Sequence, residues 1–257
     1  MVTISMHAVE AAIDKRTVLH GITASFRAGE MIGIVGPNGA GKSSLVRAML
    51  GIQPILSGRF LIDGRDIGDL DRRTAARTMA YLPQGQTLHW PLEVERLVAI
   101  GRLPHLAPLS RLSDEDMAAI DKALVEADAE GLRGRIATEL SGGERARVLL
   151  ARTLAVDAPV LLADEPLAAL DPGHQLDVLE LLRRQARAGK LVVTVLHDLT
   201  MAARYCDRLL VLNNGKLVAD GPPRAVLTPA LIADVYGIGA ELIETATGTL
   251  IVPVRRC

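Results

Sequence analysis

The segment 36–43 carries the strongest chemical signal in the chain. Its residues, GPNGAGKS, fit the pattern G-x-x-x-x-G-K-[ST] and stand between an apolar run and a helical run over 44–50. The glycines let the backbone wrap so that N–H groups point at phosphate oxygens, and the helix N-terminus adds positive partial charge. Lys42 can reach the β- and γ-phosphates, and the Ser43 hydroxyl can bind Mg²⁺. We therefore predict a nucleotide-phosphate site made of Gly36, Pro37, Asn38, Gly39, Ala40, Gly41, Lys42, Ser43 and Ser44.

Four polar residues stand at the ends of other apolar runs, namely Gln84, Asp164, Glu165 and His197. Asp164 can hold Mg²⁺ through a water molecule, and Glu165 can polarise the attacking water as a general base. Taken singly, Gln84 is typical of a loop amide and His197 of a satisfied strand-end histidine. Ligands of open α/β sheets bind at the carboxyl ends of the strands, so we expect all four beside the phosphate loop.

Five short apolar runs predict the buried strands that position these residues. They lie at Met31–Val35, Met79–Leu82, 160–163, 191–196 and 209–212. Helical patterns stand between them, and one helix is predicted to begin after Ser113, where three acidic residues suit the first turn. Another is predicted to begin near Pro172. Strands that alternate with helices favour an α/β fold with a mostly parallel sheet.

The chain is predicted to form a single domain over 1–257 with three parts. Residues 1–87 and 155–240 form the α/β core. Residues 88–154, which begin with a proline-punctuated stretch and show no clear strand, form a helical insertion. Residues 241–257 form a terminal hairpin around a glycine.

Composition excludes several classes of protein. The 257 residues include 29 Lys and Arg against 30 Asp and Glu, a net charge of −1, which disfavours a nucleic-acid binder. Apolar runs span only a few residues, whereas a membrane helix needs about 20. The N-terminus lacks the features of a secretion signal, and the two cysteines have no metal-binding spacing. We therefore expect a reduced chain inside the cell that does not itself cross a membrane.

The segment Leu140, Ser141, Gly142, Gly143 and Glu144, here called the signature segment, follows the phosphate loop and precedes the acidic pair. In this order the motifs resemble those of the ATP-binding-cassette ATPases over essentially the whole chain. The resemblance implies a P-loop NTPase (RecA-like) core with a mostly parallel sheet, an antiparallel β element and a helical subdomain. It also implies ATP hydrolysis in a head-to-tail homodimer, where each MgATP lies between one phosphate loop and the partner's signature segment.

The same resemblance assigns roles to single residues. Gln84 resembles the Q-loop glutamine, which with Ser43 and Asp164 approaches Mg²⁺, and His197 resembles the switch histidine at the γ-phosphate. Catalysis is thus expected from Glu165, His197, Gln84 and Lys42. Asp171 resembles the D-loop aspartate at the dimer seam, whereas Ala168 stands where a serine is common and removes one possible hydrogen bond across the dimer.

Two further stretches, 98–105 and 227–237, are similar to segments of importers for iron chelates, haem and cobalamin. This implies two integral membrane permease subunits, an indirect periplasmic or surface substrate-binding protein, and a peripheral position on the cytoplasmic face of the inner or plasma membrane. His89 and Trp90 are expected to contact the permease. The alternatives are a transporter of another cargo such as molybdate or zinc, a soluble non-transport ATPase, and a dimerisation switch with negligible turnover. The presence of Glu165 and His197 argues against the switch.

Base selectivity gives a first prediction. Ile13 stands where an aromatic residue usually stacks on adenine, and it offers apolar contact without a π face. We expect the purified chain to bind ATP and GTP with comparable affinities in competition titrations. A strong preference for ATP would contradict this expectation.

Overall fold

The structure is a computed structural model that describes residues 2–14, 16–85, 88, 90–168, 170–246 and 248–257. His89, which was predicted to contact a permease, lies outside the described residues. In chain order the strands are β1 (Thr3–Ile13), β2 (Arg16–Arg27), β3 (Met31–Val35), β4 (Ile55–Ile62), β5 (Arg65–Asp66), β6 (Met79–Leu82), β7 (Val160–Asp164), β8 (Leu191–Val195), β9 (Arg208–Asn213), β10 (Lys216–Gly221), β11 (Ile238–Thr245) and β12 (Gly248–Arg256). The helices are α1 (Lys42–Met49), α2 (Arg72–Thr78), α3 (Val94–Ala99), α4 (Asp114–Glu126), α5 (Gly142–Leu154), α6 (Pro172–Arg187), α7 (Leu199–Tyr205), α8 (Pro223–Val226) and α9 (Pro229–Tyr236).

The central sheet has six strands in the order β10-β9-β3-β8-β7-β6, and all neighbours pair in parallel except β10 with β9. Its five parallel strands are the five predicted ones, with ends that differ by at most one residue. Every residue of β3, β7 and β8 is buried, because both faces of the sheet are covered. The predicted mostly parallel sheet is confirmed.

An antiparallel sheet of order β2-β1-β4-β5 covers one face of the central sheet. Ile22 and Phe26 of β2 share an apolar cluster with Ile32 and Ile34 of β3 and with helix α1. Met31 and Val35 of β3 belong to a second cluster with α5, α6 and α7 on the other face. The antiparallel element implied by the family resemblance is therefore present.

Helices α3, α4 and α5 occupy the stretch predicted to be a helical insertion, together with short 3₁₀ turns such as Ile100–His105. Ser113 caps α4, as predicted, and forms a capping box with Asp116. Ser141 caps α5 in the same way through Glu144. No helix in the described part of the chain is long and apolar enough to cross a membrane.

Strands β11 and β12 form the predicted terminal hairpin, which begins at Ile238 rather than near 241. The hairpin packs on α7, where the Ile251 N–H donates to Thr200 Oγ1 at 3.1 Å. It therefore lies against the helix that follows His197 in the chain.

A buried ion pair joins the parts of the helical stretch. The Arg102 guanidinium donates to Asp116 Oδ1 at 2.8 Å and to the Ala155 carbonyl at 2.8 Å. Hydrogen bonds from Ser113 and from Arg102 lower the pKa of Asp116 to about 2. One carboxylate thus connects the start of α4 with the turn after α3 and, through Arg102, with the end of α5.

We expect Asp116→Asn to lower the free energy of unfolding at pH 7 by about 2 to 3 kcal/mol, because the buried guanidinium loses its charged partner. Because the folded-state pKa lies below the ordinary value of 3.8, this stabilisation is present above about pH 4 and is lost as the pH falls towards 2. Urea denaturation at several pH values measures it. Lys122→Gln is the control, since the exposed Lys122 lies 3.9 Å from Glu126 on the same helix and its loss should change stability by less than about 0.5 kcal/mol.

Candidate nucleotide-binding site

The phosphate loop connects β3 to α1 and follows a path that only glycine allows at its two ends. Gly36 has a φ of 152°, and a methyl group built on it would lie 2.2 Å from the Leu212 carbonyl oxygen. Gly41 has a φ of 99° and lies against Leu19. Helix α1 begins at Lys42, two residues earlier than predicted, so Lys42 and Ser43 belong to its first turn, where N–H groups are free for an anion.

The turn between β9 and β10 braces this loop. The Gly215 N–H donates to the Ala40 carbonyl at 3.0 Å, and the His20 N–H donates to the Gly215 carbonyl at 2.8 Å. The loop therefore lies against both β2 and the β9–β10 turn. Asn214 and Gly215 were not predicted as site residues. The sequence Asn-Gly is typical of a turn. That this turn lies beside the phosphate loop follows only from the order of the strands in the sheet.

Lys42 is buried, and its ammonium group curls back onto the loop. Nζ donates to the Gly36 carbonyl at 2.8 Å and to the Pro37 carbonyl at 3.0 Å. Burial lowers the pKa of Lys42, whereas the charges of Glu165 and Asp164 act in the opposite direction. A phosphate bound in the loop would therefore meet a positive charge that the protein already holds in place.

Ser43 and Asp164 provide oxygen ligands suited to Mg²⁺. The Ser43 hydroxyl donates to Asp164 Oδ1 at 3.0 Å, and the Tyr81 hydroxyl lies 3.4 Å from Oδ2. Burial is the main cause that raises the pKa of Asp164. A hydroxyl and a buried carboxylate are hard donors of the kind that Mg²⁺ prefers, and so is the amide of Gln84, which contacts the neighbouring Glu165, so these residue types fit the ion. Tyr81 was not predicted, because it lies inside β6 and no motif includes it.

Glu165, which follows β7, contacts side chains that follow the two neighbouring strands. Its Oε2 accepts a hydrogen bond from Gln84 Nε2 at 2.5 Å, and its Oε1 lies 2.5 Å from His197 Nε2. Its φ of 52° is left-handed, a conformation that costs a non-glycine residue about 1 kcal/mol or more. The structure thus brings together the three residues that follow β6, β7 and β8, as expected from the strand ends.

A cleft of about 530 Å³ opens beside the phosphate loop. Its wall includes Arg16, Val18 and His20 from the start of β2, and Ile13, which is 45% exposed, stands at the end of β1. This is the wall where a nucleoside would lie if its phosphates occupied the loop. Among the described residues that line this cleft, none comes from the signature segment, and Asp171 does not line it either.

The sequence matches the ABC transporter family over residues 19–168. The chain belongs to the ABC transporter family. It is 45% identical over 242 residues to a hemin import ATP-binding protein of Streptomyces coelicolor, covering 94% of this chain and 86% of that protein. It is 40% identical over 252 residues to a cobalamin import ATP-binding protein of Halobacterium salinarum, covering 97% of this chain and 63% of that protein.

A solved ATP-binding cassette of an ABC transporter in its ADP conformation has a TM-score of 0.82, with 24% identity and coverage of 92% of this chain and 98% of that one. At this identity the likeness shows the fold. The predicted family, the fold class and the ABC type of ATPase are confirmed. The roles of single residues stay predictions.

Two substitutions separate binding from turnover. We expect Glu165→Gln to retain MgATP and to lose at least about 100-fold in kcat, because an amide cannot accept a proton from water. Lys42→Ala should instead lose nucleotide affinity, because it removes the charge held over the loop. Binding of a fluorescent ATP analogue and phosphate release measure the two effects. Unchanged hydrolysis by Glu165→Gln would contradict the assignment of the base.

Proposed function

We propose that this chain is the ATP-hydrolysing subunit of an importer for an iron chelate such as a siderophore or haem, or for cobalamin. The observation that carries the proposal is the near-complete coverage of this chain by relatives named as hemin and cobalamin import ATP-binding proteins. The greater identity to the hemin protein makes haem the first cargo to test. The cargo is not expected to touch this chain, so the cleft itself holds no information on its identity.

The chemistry proposed for the cleft follows from its contacts. Lys42 and the N–H groups of the phosphate loop bind the β- and γ-phosphates. Ser43, Gln84 and, through water, Asp164 hold Mg²⁺, which supplies positive charge beside the phosphates when bound. Glu165 accepts the proton of the attacking water, and His197, already in contact with Glu165, orients towards the γ-phosphate.

We propose a homodimer because the signature segment lies outside the chain's own cleft. Helix α5 begins at Gly142, directly after its cap Ser141, and the N–H groups that the cap leaves free are suited to an anion supplied by another subunit. In a head-to-tail pair each MgATP would lie between one phosphate loop and the other subunit's signature segment, with Asp171 at the seam. ATP would then favour the closed pair because it binds that state more tightly, and hydrolysis would reopen it.

We propose that residues 88–154 form a helical subdomain between core parts 1–87 and 155–240, and that 241–257 form the terminal hairpin. The proposed permease contact lies on this helical subdomain. Trp90 is 74% exposed and Leu103 is 61% exposed. Arg73 Nε and Arg77 Nε both donate to the Pro104 carbonyl, at 2.8 and 2.9 Å, and hold the turn beside Leu103. Two permease subunits docked here would place the chain on the cytoplasmic face of the membrane, with a substrate-binding protein acting indirectly from the other side.

Reconstitution tests the proposal. The chain is purified with its permease partners in liposomes, and ATPase activity is measured with substrate-binding protein loaded with haem, cobalamin or a ferric siderophore. We expect one of these cargoes to stimulate hydrolysis several-fold and to accumulate inside, and Glu165→Gln to abolish both effects.

If only molybdate or zinc stimulated ATP hydrolysis, the proposed cargo would be wrong, but the proposed transport function would still hold. A chain that associates stably only with soluble proteins or nucleic acid would overturn the transport function in favour of a soluble ATPase.

A further inference from the structure

His174 is bound tightly to Asp171 in the first turn of α6. Asp171 caps this helix by accepting the His174 N–H on Oδ1 at 3.1 Å, and the ring Nδ1 of His174 donates to Oδ2 at 2.5 Å. Hydrogen bonds from His174 hold the pKa of Asp171 below its ordinary value, so the carboxylate stays charged. The imidazole therefore has one edge committed to Asp171, and its remaining atoms face away from that carboxylate.

The other side of the imidazole lies against the signature segment. A methyl group built on Gly143 would lie 2.8 to 3.0 Å from Nε2, Cε1 and Cδ2 of His174. A Cβ at Gly143 would therefore not fit with the ring in this position, and the ring packs directly on the backbone at the first turn of α5. One side chain thus contacts the start of two helices, α6 of the core and α5 of the helical stretch.

Beside Gly142 a crevice of about 240 Å³ lies between the two parts. Gly142, Ala146 and Leu149 line it on the α5 side, and Ala168 and Leu170 line it on the other. Gln175 Nε2 donates to the Leu170 carbonyl at 3.0 Å, which attaches the segment before Asp171 to α6 as well. Because the His174 ring contacts Gly143 of α5 and Asp171 at the start of α6, a lateral shift of one helix relative to the other would have to move the ring.

We propose that His174 is a positioning residue that fixes the signature segment relative to Asp171 within one subunit. The inference rests on the proposed head-to-tail dimer, in which both elements face the partner subunit. If the distance between the signature segment and Asp171 is fixed before the subunits meet, both elements reach the nucleotide of the partner subunit in one step. His174 does not line the phosphate-loop cleft, so it acts through Gly143 and Asp171 rather than on the reacting atoms.

Kinetics of three variants test the inference. His174→Ala removes both contacts, His174→Asn keeps an N–H directed at Asp171, and Glu180→Ala changes an exposed residue further along α6 as a control. We expect His174→Ala to lower kcat about tenfold while the affinity of the phosphate-loop site for a fluorescent ATP analogue stays within about twofold. His174→Asn should recover part of the loss, and Glu180→Ala should match the unaltered chain.

Dimer formation separates this inference from the function on which it rests. In the Glu165→Gln background we expect His174→Ala to raise the ATP concentration for half-maximal dimerisation about tenfold, measured by light scattering. If Glu165→Gln dimerises with ATP and the double variant does so equally well, the inference alone is overturned. If Glu165→Gln never dimerises with ATP, the proposed dimer fails and the inference fails with it. A loss of nucleotide affinity with kcat unchanged would also overturn the inference, because it would indicate general loosening of the fold.

Discussion

The close passage of the phosphate loop over the end of β9 is the constraint on which the site depends. At Gly36 the backbone approaches the Leu212 carbonyl so closely that no side chain fits. This approach directs the loop between β2 and the β9–β10 turn, where Gly215 holds Ala40. Lys42 then has the loop's own carbonyls within reach of its ammonium group. The shape of the loop is thus imposed by the sheet beneath it as much as by the loop's own residues.

The order of the strands determines which other residues meet at the site. Because β6, β7 and β8 are neighbours with a common direction, the residues that follow them meet at one edge of the sheet. The left-handed backbone of Glu165 places both carboxylate oxygens between Gln84 and His197. Three strand ends therefore each contribute one side chain to this polar cluster, and no single sequence motif contains all three.

The parallel core and the main motifs could be predicted from the sequence, and the antiparallel sheet could not be located. Fully buried parallel strands such as β7 are unbroken apolar runs, which stand out in any sequence. β1 instead is only partly buried, and its pairing register shifts between Met6 and Val9, so its pattern is irregular. Tyr81 and His174 were missed for another reason. Each gains its importance from a neighbour distant in sequence, Asp164 for Tyr81 and Gly143 for His174.

The two side chains in contact with Glu165 bear on how ATP hydrolysis is restrained in an idle transporter. Gln84 Nε2 donates to one carboxylate oxygen of Glu165, and His197 Nε2 lies 2.5 Å from the other, so both oxygens already have a polar partner. With Glu165 in its proposed role, the attacking water would compete with these two partners for the carboxylate, so we expect hydrolysis to be favoured when one of them moves away. Since Gln84 follows β6 and leads towards the proposed permease surface, a docked and loaded transporter is well placed to trigger that release. In this proposal, the contacts of Gln84 and His197 with Glu165 both assemble the site and limit ATP hydrolysis in the absence of transport.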